Sequence, residues 1–193
     1  MLCTALSTIA ILELMACSLI PRVVVPHDPL TAQEHVTLGE AYRTKGLQDA
    51  AEKEFQSALR GDPTNVPALV ALGNLAFDAG ELTGAEEYYQ RALNHAPDHP
   101  HANNNLAMVY LTQGQRLDEA EALARKALQG PAALRPYVLD TLISLYLKQG
   151  RTTDAAQALD EAERSLSNSS EPSPLRDHFK ALRTELTSRP SAH

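Results

Sequence analysis

The chain has no tryptophan, aromatic residues make up 5% of it, and its two cysteines, Cys3 and Cys17, both fall within the first 17 of its 193 positions. No structural disulfide can therefore form in the rest of the chain, and a cysteine-free body suits an oxidising compartment. No stretch alternates Val, Ile, Thr and aromatic residues with polar ones, so a β-sandwich or barrel lacks its strand signal. A basic run is missing too. Lys and Arg number 17 against 24 Asp and Glu, a net charge of -7. Nucleic-acid binding depends on clustered phosphate-neutralising charge, so no nucleic-acid partner is expected.

Catalytic signatures are likewise absent. The chain contains no Gly-x-Ser-x-Gly, no His-Glu-x-x-His and no Gly-rich phosphate loop, and Cys17 has no histidine partner in a recognisable pairing. No enzyme activity and no cofactor are expected. The densest ligand-like stretch runs from His95 through Asp98 and His99 to His101. Borderline metals accept such groups, but Pro97 and Pro100 limit how these could converge, so no metal site is expected.

What is present is helical. Ala, Leu, Glu, Gln and Arg recur in long runs, and these residues have good intrinsic helix propensity. The expected fold class is all-α, in one domain with tails.

From Leu2 to Ile20 the chain is apolar or small except for Glu13, and Pro21 and Arg22 end the run. A carboxylate near the middle of a span costs on the order of 2.5–3.5 kcal/mol on insertion scales, which makes a permanent single crossing marginal. A shorter apolar stretch ending in small residues has the dimensions of a signal-peptide core. Leu14-Met15-Ala16-Cys17 resembles the lipobox of bacterial lipoproteins. That resemblance implies cleavage before Cys17, acylation of its thiol and, with Ser18 following, residence at the periplasmic side of the outer membrane. An uncleaved anchor, an ordinary signal and a buried core helix are the other readings of residues 1–17. Residues 18–31 carry Pro21, Pro26 and Pro29 and read as an extended tether.

The strongest signal is internal repetition. Leu38, Leu72 and Leu106 stand 34 residues apart, as do Gly46, Gly80 and Gly114. Ala51, Ala85, Ala120 and Ala155 follow at steps of 34, 35 and 35. Further columns are Tyr42, Ala76, Tyr110 and Tyr146; Phe55, Tyr89, Ala124 and Leu159; and Ala58, Ala92, Ala127 and Ala162. Small residues let antiparallel helices approach, larger ones fill the space between them, and Pro63 and Pro97 punctuate the units.

This pattern resembles the tetratricopeptide-repeat family, whose period is 34 residues. The resemblance implies an α-solenoid of about four helix-turn-helix units at residues 32–65, 66–99, 100–135 and 136–166. The third unit has one extra residue in the turn after Gly114. In the fourth, Ile143 stands where a small residue is expected, which predicts some splaying of its helices. Residues 167–174 read as a loop. Leu175, Phe179, Leu182 and Leu186 then recur at helical spacing, predicting a capping helix over residues 175–187 and leaving a tail at 188–193.

By the same resemblance, the first helices of the repeats line a concave groove that takes a protein or peptide ligand. The positions that match it and carry the expected binding surface are Arg43, Asn74, Phe77, Asn104, Met108 and Leu111. Phe77, Met108 and Leu111 form an apolar patch framed by Asn and Asp, with Phe77 and Leu111 placed outside the repeat core. Family members that clamp a carboxylate tail use Lys and Arg along this face. Only Arg43 and Lys148 are basic here, so that ligand class is not expected. The sequence thus predicts a non-enzymatic scaffold, held at a membrane through a lipidated Cys17, in cell-envelope assembly or secretion. The alternatives are a cytoplasmic or inner-membrane-anchored adaptor, or a regulatory subunit of an enzyme.

Overall fold

A computed structural model describes residues 28–166 and 174–188. Cys17 and the lipobox-like segment lie outside the described residues, as does most of the 167–174 loop. The described residues form α1 (Ala32–Thr44), α2 (Gln48–Gly61), α3 (Val66–Asp78), α4 (Leu82–His95), α5 (Pro100–Gln113), α6 (Leu117–Ala127), α7 (Arg135–Lys148), α8 (Thr152–Leu166) and α9 (Pro174–Ser188). Consecutive helices pair α1 with α2, α3 with α4, α5 with α6 and α7 with α8, and the pairs stack in chain order. This is the expected all-α solenoid.

The first three units start on a capping residue that itself recurs every 34 positions. Thr31 accepts from the Glu34 amide while the Glu34 side chain accepts from the Thr31 amide, a reciprocal capping box. Asn65 Oδ1 accepts from the Ala68 amide at 3.0 Å, and His99 Nδ1 accepts from the Ala102 amide at 3.2 Å. The fourth unit has no such cap. A short 3-10 helix, Ala132–Leu134, leads straight into α7 instead. Within the units, Gly46, Gly80, Gly114 and Gly150 adopt φ between 70° and 79°, turning the chain from one helix to the next in a conformation that L side chains resist. The extra residue of the third turn is absorbed by Arg116, which takes a left-handed φ of 51°.

Packing explains the columns. Ala51, Ala85, Ala120 and Ala155 are fully buried, as are Ala58, Ala92 and Ala162, with Ala127 almost so. In the first two helix pairs residue sizes are complementary: Gly39 faces Phe55 and Gly73 faces Tyr89. The corresponding positions are Ala107 with Ala124 and Ile143 with Leu159, all four of them fully buried. Ile143 and Leu159, the larger side chains at these positions of the fourth unit, are both taken into the shared core. At the C-terminal end, α9 buries Phe179 completely in the shared core, with Leu175, Leu182 and Leu186 packed around it. Arg183 holds α9 to Asp160 and Glu163 of α8, and His178 lies 3.0 Å from Asp140 of α7. Among the described residues, no helix is long and apolar enough to cross a membrane.

Candidate functional site

The first helices bring Arg43 of α1, Asn74, Phe77 and Asp78 of α3, and Asn105 and Met108 of α5 around one concavity of about 260 Å³, with Tyr89 of α4 at its floor. Four of the six predicted groove residues, Arg43, Asn74, Phe77 and Met108, are therefore brought together. The other two lie elsewhere. Asn104 is only 3% exposed and its Oδ1 has no hydrogen-bond partner. Leu111 is half-buried one helical turn beyond Met108, and its carbonyl accepts from Lys148 Nζ at 2.8 Å. Phe77 and Leu111 both pack against the core rather than standing outside it, a correction to the expectation from the repeat register.

The polar centre of the concavity is Asn74. Its Oδ1 accepts from the Tyr89 hydroxyl and from Asn105 Nδ2, each at 2.8 Å. Two donors on one oxygen fix the amide plane and turn its NH₂ group away from both. Burial raises the Tyr89 phenol far above its ordinary pKa, so this hydroxyl stays a donor across the physiological range. Arg43 is salt-bridged to Glu40 at 2.7 Å, and Asp78 is exposed at the mouth. The lining offers an apolar contact from Phe77 and Met108, one oriented amide and charges of both signs.

Tyr89 and Asn105 were not predicted as site residues. Tyr89 sits in the same column as Phe55, which fills the core with no hydroxyl. The substitution of tyrosine for phenylalanine was the available signal, since a buried phenol needs a partner. The His95–His101 stretch is built otherwise than a ligand set. His99 caps α5, Asp98 pairs with Lys126 at 3.0 Å, and Asn103 Nδ2 closes the turn on the carbonyls of Pro97 and His99. Among the described residues, no three His, Cys, Asp or Glu side chains are grouped to hold a metal.

Two profiles described as "Tetratricopeptide repeat" match the chain, one over residues 35–65 and one over residues 70–136. Tetratricopeptide repeat protein 14 of Mus musculus is 35% identical over 99 residues, covering 48% of this chain and 13% of its own length. Protein O-mannosyl-transferase TMTC1 of Mus musculus is 32% identical over 85 residues, covering 44% of this chain and 9% of its own. The chain thus spans a small fraction of these relatives. Among solved structures, that of Pseudomonas aeruginosa pilF superposes with a TM-score of 0.65 at 23% identity, over 80% of this chain and 69% of that one. At that identity the likeness concerns the fold alone.

Proposed function

The chain belongs to the tetratricopeptide-repeat family, and we propose that it is a non-catalytic docking scaffold whose concave face holds a peptide segment of a partner protein at the Asn74 concavity, while its N-terminus holds it at a membrane. The observation that carries the docking role is the doubly bonded Asn74 amide beside Phe77 and Met108. An oriented donor next to apolar side chains suits a backbone carbonyl flanked by an apolar residue, the combination by which grooves recognise peptides. Phe77 and Met108 supply desolvation, and Asn74 supplies direction.

The anchoring role rests on the sequence Leu14-Met15-Ala16-Cys17. In this reading Cys17 becomes an acylated first residue, and residues 18–31 tether the array to the periplasmic side of an outer membrane, where it serves envelope assembly or secretion. Acyl chains contribute roughly 0.8 kcal/mol per buried CH₂, so multiple acylation anchors stably where one chain binds reversibly. Palmitate labelling with membrane fractionation tests it. Cys17→Ser should abolish label and release or stall the protein, whereas Cys3→Ser should change neither. Retained membrane association in Cys17→Ser would instead favour an uncleaved anchor.

A further inference from the structure

Three joints connect the four repeats, and two of them are fastened alike. Between α4 and α5, Glu86 accepts from Arg116 at 2.9 Å, from the Tyr110 hydroxyl at 3.3 Å and from Gln90 at 2.9 Å. The Arg116 guanidinium also stacks 4.1 Å from the Tyr110 ring centre. Between α6 and α7, Glu121 accepts from Arg151, from the Tyr146 hydroxyl at 3.1 Å and from Arg125 at 2.9 Å, and Arg151 stacks 4.5 Å from the Tyr146 ring. In each case a carboxylate from one repeat receives a tyrosine and a stacked arginine from the next.

The first joint keeps the carboxylate and lacks both of its partners. Glu52 stands 34 residues before Glu86, and Gln56 donates to it at 2.7 Å as Gln90 does to Glu86. The tyrosine position is Ala76, and the arginine position is Glu81. A pocket of about 250 Å³ lies at this joint, with Leu72, Leu75, Ala76, Ala79 and Tyr88 as its less polar part and Asp49, Glu52 and Glu81 as its acidic rim. Among the described residues these three carboxylates form no ion pair. Its volume falls below the roughly 300–1,000 Å³ of pockets that enclose whole small ligands, and suits one long side chain.

We propose that this pocket receives an arginine side chain of a partner protein, its guanidinium meeting Glu52 as Arg116 meets Glu86 and Arg151 meets Glu121 at the other two joints. The planar guanidinium matches the carboxylates of Glu52 and Glu81 in fork-like hydrogen bonds, while its methylene stem lies along Leu75 and Ala79. Lysine, a compact and strongly hydrated point charge, fits the same place less well. The pocket uses the face of α3 opposite Asn74 and Phe77, so it is a second docking point that does not depend on the groove.

The test is a titration of the isotope-labelled full-length protein, in detergent micelles, with acetyl-Gly-Arg-Gly-amide and its lysine counterpart, following the backbone amides of Leu75, Ala76 and Ala79. The arginine peptide should shift these amides and bind at least tenfold more tightly than the lysine peptide. The double variant Ala76→Tyr/Glu81→Arg rebuilds the missing fastening inside the chain; it should weaken peptide binding tenfold or more and raise Tm. Glu52→Gln/Glu81→Gln should weaken binding similarly without filling the pocket, which keeps the test decisive should the first variant misfold. Absence of shifts at these amides, equal response to lysine, or undiminished binding in the glutamine variant would overturn the proposal.

Discussion

Gly73 and Tyr89 are interlocked: a Cβ added to Gly73 would sit 2.5 Å from Tyr89 Cε1 and 2.8 Å from Cδ1, on a ring that is itself 1% exposed. Tyr89 cannot withdraw, because its hydroxyl is held by Asn74 at the groove. Gly73→Ala should therefore destabilise the protein by about 1–3 kcal/mol, as overpacked cores do, and should also disturb the Asn74 site. Gly84→Ala is the contrast. There the new Cβ meets Ala76 Cβ at an ordinary 3.8 Å, so improved helix propensity should stabilise by about 0.5–1 kcal/mol. Urea titration of both variants checks the opposite signs.

Tyr89→Phe removes one of the two donors that orient Asn74 while keeping the ring that packs on Gly73. The expected stability cost is about 1 kcal/mol, and capture of the native partner from a cell extract should fall severalfold. Unchanged capture would detach the groove function from the orientation of Asn74.

Phe77→Ala and Met108→Ala should weaken partner capture roughly tenfold or more, because an apolar anchor desolvated at an interface commonly contributes about 2 kcal/mol or more. Leu111→Ala should act differently. Its side chain packs on the core, as that of Phe77 does, but lies outside the concavity, so the loss should appear in Tm and not in capture. Pull-down and thermal melts run on the same three variants separate the two effects.

Acid should loosen the joint between α6 and α7. Burial of Glu121 works to raise its pKa, but hydrogen bonds from Arg151, Arg125 and Tyr146 outweigh it, so the net shift is downward. A carboxylate with a depressed folded pKa contributes stability that is present above its unfolded pKa, about 4.3 for Glu, and lost as pH falls through the folded value. Stability should therefore decline below about pH 4.5, with this residue contributing to the fall. Glu121→Gln should be less stable at pH 7 and show a shallower acid limb. Urea midpoints measured from pH 7 down to pH 3 provide the check.

Phe179→Ala should cost about 3–5 kcal/mol, since the ring is fully buried where α9 closes the end of the array. Limited proteolysis should then cut near α9 well before the earlier helices are attacked. Simultaneous digestion throughout would mean that α9 is not a separable cap.

The repeat register, the helix-ending glycines and the closing α9 were legible because each obeys a period or a pattern that any one repeat reveals. Asn103, Asn104 and Asn105 show where legibility ends. Three identical neighbours on one helix close a turn, lie buried with a free acceptor, and orient the groove amide, respectively. Which role falls to which residue depends on the facing repeat, 31 residues back in the case of Asn74 and Asn105. Phe77 illustrates a second case: a side chain can face a groove and still rest on the core, which a face assignment from register alone divides too sharply.

The unfastened first joint also gives the array a mechanical asymmetry. A solenoid bends where the coupling between neighbours is weakest, and here the two joints carrying a tyrosine, a stacked arginine and a shared carboxylate lie on the C-terminal side. The one that lacks them lies on the N-terminal side. Pulled or tilted from its N-terminal end, the rod should yield between α2 and α3 while the segment from α3 to α9 turns as a stiff lever. A side chain wedged into that first joint would then set the angle at which the lever stands.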